Sequence, residues 1–172
     1  ASAFTLVGTV NSGAKLRGPP QQNFTLDDVV VITDLTLTEN VKQWNGTAFA
    51  DFSHNLGTTL KAKFARVRNE RLYLANVTAG ATATPHVLLG SALGDDNTLT
   101  TTVRPSGAVS LADPFFIVTP DLKPINGLEE CFGQFLISTR YGKIHNLTGT
   151  SAFDFDLKAF YEGSAASGDE AL

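Results

Sequence analysis

The apolar residues of this chain alternate with period two and never settle into the period of a helix, which limits the fold more than any other feature. No segment sustains apolar residues at i, i+3, i+4 and i+7, and helix formers such as Glu, Lys and Met are scarce. Short runs rich in Val, Thr and Phe recur instead, each broken by Gly, Pro, Asn or Asp. "AFTLVGTV" places Phe4, Leu6 and Val10 on one face, and "DDVVVITDLTLT" reads as a longer strand. In "TLKAKFARVRNERLYLANV", Leu60, Ala62 and Phe64 alternate with Lys61 and Lys63. The phase then slips to Ala65 and Val67, as a β-bulge would make it do, and Asn69-Glu70 supplies the turn. Further strands are expected in "TAFADF", "HVLLGSAL", "NTLTTTVR", "AVSLA", "PFFIVTP" and "CFGQFLIST". In "SAFDFDLKAFY", Phe153, Phe155, Leu157, Ala159 and Tyr161 share one face, opposite Asp154, Asp156 and Lys158. "GDDN", "RPSG" and "LKPING" are turn chemistry.

About ten short strands at this spacing predict an all-β fold, an antiparallel β-sandwich, with a jelly roll or closed β-barrel as alternatives. The 172 residues suffice for one domain, assigned to 1–162. Residues 163–172 form a small, acidic C-terminal arm expected to order on a neighbour. Charged residues are only 17% of the chain and its net charge is -4, so neither disorder nor bulk attraction to nucleic acid is expected. No apolar run reaches the roughly 20 residues of a membrane span. The opening Ala-Ser-Ala and the absence of Met are what a mature chain shows after leader removal.

Four sequons, all ending in Thr and none with a central Pro, make Asn23, Asn45, Asn76 and Asn146 candidate sites of N-linked glycosylation. Each lies in or beside an expected turn, where an acceptor must be exposed. Secretion follows as the expected route. Cys131 stands alone, which forbids an intrachain disulfide, and it is expected to be a buried apolar thiol.

Reactive chemistry is hard to find. His54, His86 and His145 have no partner at metal-ligand spacing and read as surface or strand-edge residues, so no metal or cofactor is expected. The pairs Asp27-Asp28, Asp95-Asp96 and Asp154/Asp156 do not signal the two facing carboxylates of a glycosidase. There is no GxSxG, GxGxxG or phosphate loop. No catalytic residue is assigned, and the chain reads as a non-enzyme. Five basic residues of one hairpin, Lys61, Lys63, Arg66, Arg68 and Arg71, read either as a charge-protected edge or as an interface. An anionic polysaccharide and the Asp169-Glu170 arm of a second copy are the candidate partners. Trp44, beside Asn45, is the one candidate aromatic platform for a sugar.

"FTLVGTVNSGAKLRGPPQQNFTL" resembles the opening of fungal secreted cell-wall proteins, in which a Phe-x-Leu strand runs into a Ser-Gly turn, and "RLYLANV" is similar to a later strand. The resemblance covers about thirty residues. It implies a structural role at the cell surface and transfers no functional residue, and the single Cys departs from a family that usually has several. The expectation is an extracellular glycosylated subunit that associates with copies of itself, with addition of the N-terminal strand to the sheet of a neighbour as the mode. A carbohydrate-binding module is the alternative. A hydrolase with a carboxylate site and a viral jelly-roll coat protein come third.

Overall fold

A computed structural model of the chain describes residues 6, 8–17, 29–95, 98–99, 110, 113–140, 143–149, 151 and 154–161. Three four-stranded antiparallel sheets follow one another along the chain. β1 (Leu16–Arg17), β2 (Val30–Asp34), β3 (Lys42–Trp44) and β4 (Phe49–Asp51) form the first. The middle sheet contains β5 (Leu60–Arg68), β6 (Arg71–Ala79), β7 (Thr82–Gly90) and β8 (Phe115–Val118). The third contains β9 (Ile125–Cys131), β10 (Gln134–Thr139), β11 (Ile144–Thr148) and β12 (Asp156–Tyr161). Each is a simple meander, and none closes into a barrel. Among the described residues there is no helix, hence none long and apolar enough to cross a membrane.

The all-β sandwich expected from the alternation is the observed class, but it has two cores. Leu72 and Leu74 of β6 enter one with Val31, Val41 and Phe52 of the first sheet and its flank. Tyr73 and Ala75 enter the other with Ile125, Leu128, Phe135, Ile137 and Leu147 of the third. A strand covered on both faces loses its apolar/polar alternation, which is why residues 71–77 of β6 are buried without interruption.

One residue changes which side chains face which core. Before it, even-numbered Leu72 and Leu74 face the first core, whereas after it odd-numbered Val77 does. The switch is Asn76, whose φ of 54° is left-handed. Asn tolerates that region better than most L-residues. Opposite it, β5 makes the same exchange between Ala62 and Phe64, so the β5–β6 register is unbroken. The change of face read from the sequence therefore falls at Lys63, not after Phe64, and the expected β-bulge is not there, since the pairing with β6 keeps one register throughout. On the other side of β6 the pairing with β7 shifts between Ala75 and Val77. Pro85 sits in β7 at this shift, where a missing N–H breaks no ladder bond.

The Asn69-Glu70 turn is observed, and both residues have positive φ (47° and 57°), as a type I′ hairpin requires. β2 stops at Asp34, four residues short of the expected strand. The Asp34 carboxylate accepts bonds from the backbone N–H groups of Lys15, Thr36, Thr38 and Glu39 at 2.8–3.0 Å and from the hydroxyls of Thr36 and Thr38. This local capture turns the chain away from the sheet. "CFGQFLIST" is not one strand but a hairpin, turning at Phe132-Gly133. "LKPING", read as a turn, contributes its last three residues to β9. Of the expected strand at residues 3–10, the described Leu6 and Gly8–Val10 form none, and Leu6 and Val10 are exposed. "NTLTTTVR", "AVSLA" and the arm at 163–172 lie wholly or largely outside the described residues.

Candidate functional surfaces

The three arginines of the basic hairpin make contacts within the chain, and Lys61 and Lys63 stay half-exposed. Arg66 forms an ion pair with Glu129 of β9. Arg68 lies 3.6 Å from Glu130, donates to the Gly133 carbonyl and stacks over the Phe135 ring. Arg71 is fully buried, donating from Nη1 to the carbonyls of Ser91 (2.6 Å) and Asp113 (2.9 Å) beneath the Phe115 ring. Lys61 reaches the Thr38 carbonyl at 3.4 Å, and Lys63 is likewise engaged. Arg66 and Arg68 thus have acidic partners in Glu129 and Glu130 of the same chain, and these two pairs fasten the middle sheet to the third. Asp169 and Glu170 lie outside the described residues.

The fold separates the sequons. Asn45 is exposed in the β3–β4 turn, with its Oδ1 accepting from the N–H groups of Thr47 and Ala48. That leaves the amide nitrogen as the acceptor end. Asn76 is the opposite case, being only 6% exposed. Its Nδ2, the atom a glycan would occupy, donates to the Ile125 carbonyl at 2.8 Å. Asn76 is therefore withdrawn as an acceptor in the folded chain, because a sugar there would have to lie between two sheets. Asn146 is half-buried on β11 and its Oδ1 is buried without a partner. Asn23 lies outside the described residues. Trp44 is half-buried in β3, paired with Val30 and Phe49, and so offers a reduced platform beside Asn45.

Cys131 is exposed rather than buried, because it ends β9 at the hairpin turn beside the fully exposed Phe132. Asp95 accepts from Thr98 within its own turn and Asp154 from Ser151, so these carboxylates organise loops. Among the described residues no three His, Cys, Asp or Glu side chains gather as a metal site.

Two features were not evident in the sequence. The first is the place of β8, the strand expected in "PFFIVTP", at the edge of the middle sheet among the described residues, with Phe116 (69% exposed) and Val118 on its uncovered face. Its other face is anchored by Phe115, which meets Tyr73 and Phe155, and whose ring lies where a Cβ on Gly90 would be. Only a glycine in β7 permits that seat. Exposed Leu122 follows close behind in the chain. The second is a hollow of about 300 Å³ beside the third sheet, lined by Pro120, Asp121, Lys143, His145, Leu157 and Ala159. His145, expected at a surface or edge, is 2% exposed, and neither ring nitrogen has a hydrogen-bond partner. Burial pushes its pKa down, a trend the nearby Asp121 opposes and Lys143 reinforces. The Asp121 carboxylate accepts from the Thr139 hydroxyl (2.6 Å) and the Lys123 N–H (3.3 Å). The chain matches no protein-family model, and no curated protein matches it significantly.

Proposed function

We propose that this chain is an extracellular, glycosylated structural subunit that associates with a second copy of itself through β8. The edge of the middle sheet that is left unpaired among the described residues carries this reading. Edge strands of monomers are normally blunted by charges, proline or a bulge, because their unpaired backbone groups invite another strand. "FFIV" has none of these, and its outward side chains are Phe116 and Val118. Antiparallel pairing of β8 with β8 of a second copy joins two middle sheets into one, with two-fold symmetry. Four residues per strand make a small interface, so the association is weak and suited to a crowded surface rather than to a permanent dimer. The exposed sequon at Asn45, on the first sheet, and the low charge of the chain support an extracellular setting. So does the resemblance to secreted cell-wall proteins. No catalytic role is part of this proposal.

Sedimentation velocity over a concentration series tests it. The native protein should show a reversible monomer–dimer equilibrium in the micromolar range, about -8 kcal/mol. Phe116→Lys with Val118→Lys, at positions already exposed, should leave a folded monomer at every concentration. An unchanged equilibrium in that variant, or a native protein that stays monomeric throughout, contradicts β8 as the interface.

A further inference from the structure

We propose that the hollow formed by Asp121, Lys143 and His145 is a binding subsite for a single neutral pyranose ring. The first argument is His145 itself. A buried polar group without a partner is rare in native proteins and calls for a missing ligand or water. Here both ring nitrogens are in that state, on a side chain that lines an open hollow. Since no hydrogen bond among the described residues holds the imidazole, turning it towards the hollow breaks none of them. A neutral imidazole then offers one donor and one acceptor.

The rest of the lining selects among ligands. Asp121 accepts hydrogen bonds, and Lys143 can only donate them. Their opposite charges at one rim disfavour a simple anion or a simple cation. A sugar suits them because each hydroxyl both donates and accepts. Pro120, Leu157 and Ala159 give an apolar wall for the C–H face of the ring. At about 300 Å³ the hollow sits at the lower end of small-molecule sites, room for one ring rather than an oligosaccharide. The site lies on the third sheet, away from Trp44, and does not depend on dimerisation through β8. The ring can belong to a surface polysaccharide or to a glycan on another copy.

The imidazole signals of His145 provide the test. Removing His54 and His86 in turn, as Gln variants, assigns the His145 resonances by elimination without touching the buried ring. Enzymatically deglycosylated protein is titrated with glucose, galactose, mannose and N-acetylglucosamine. At least one should shift the His145 signals saturably with a Kd of about 1 mM. Asp121→Asn and Lys143→Gln should each weaken that affinity at least tenfold, and Trp44→Ala should leave it unchanged. Preference for glucose or galactose points to a polysaccharide source, and preference for mannose or N-acetylglucosamine to an N-glycan. The proposal is overturned if no sugar moves His145 by about 100 mM, a hundred times that Kd. It is overturned equally if the shift survives both rim variants or follows Trp44.

Discussion

Asn76 provides a quantitative test of the two-core architecture, because it combines a left-handed backbone with a buried bond between sheets. In Asn76→Ala the Ile125 carbonyl, on a fully buried residue, loses its donor, at a cost of about 1–3 kcal/mol. An Ala held at φ near 54° adds about 1–2 kcal/mol of backbone strain. The expected loss is therefore about 2–5 kcal/mol, a large part of the stability of an ordinary domain. Asn76→Asp isolates the hydrogen bond, since Asp tolerates the same backbone. At neutral pH it sets a buried carboxylate against a carbonyl oxygen, and an uncompensated buried charge costs about 3–5 kcal/mol. On acidification the carboxyl becomes protonated and can donate to Ile125, so the deficit relative to the native protein should shrink towards pH 4. Urea unfolding of both variants at pH 7 and pH 4 measures this, with a slope of about 1–3 kcal/mol per molar urea. If Asn76→Ala lies within about 0.5 kcal/mol of the native protein, the size expected of an ordinary surface change, the inter-sheet bond is not structural. A deficit in Asn76→Asp that does not vary with pH would refute the assigned donor direction.

Other consequences follow from the same coordinates. Glu70→Gly, at an exposed position with φ 57°, should stabilise the β5–β6 hairpin by up to about 1 kcal/mol, seen as a higher thermal midpoint; destabilisation would contradict the type I′ turn. Burial pushes the Asp34 carboxyl up, but hydrogen bonds from Thr36, Glu39 and Thr38 outweigh this and hold it well below the usual carboxylate range. Its folded pKa being below its unfolded value of about 3.9, its stabilisation is present above about pH 4 and declines as pH falls towards the folded pKa. Asp34→Asn should therefore destabilise the protein at pH 7 and flatten its stability profile between about pH 4 and pH 2; parallel profiles would count against the carboxylate. Cys131, exposed at the β9–β10 turn, should react fully with a maleimide in the native protein, whereas protection until unfolding would place it in a core.

Period-two alternation and turn residues were enough to read the all-β class and the Asn69-Glu70 turn. The outward Asp156 and Lys158 of β12 were legible too, whereas Asp154 belongs to the turn before the strand and Ala159, expected inward, is exposed. The three-sheet arrangement was not. β6 is covered on both sides, and a doubly covered strand shows no polar face from which layers can be counted. Arg66, Arg68 and Arg71 looked solvated because charge normally marks a surface, and their partners lie far along the chain in Glu129, Glu130, Ser91 and Asp113. A sequon records only three consecutive residues, so nothing local separated the buried Asn76 from the exposed Asn45. Pro120, Asp121, Lys143 and His145 meet only through the packing of a loop on the third sheet, and their spacing matches no motif. β8 itself was legible in "PFFIVTP", but nothing local told that it lies at the edge of its sheet among the described residues.

Site-resolved glycopeptide mass spectrometry of the protein from its native source tests the central claim most directly. A glycosylated extracellular subunit with this fold should carry sugar on Asn45 and none on Asn76. An unmodified Asn45 would contradict the proposed setting, and a glycan on Asn76 in the folded protein would contradict the fold.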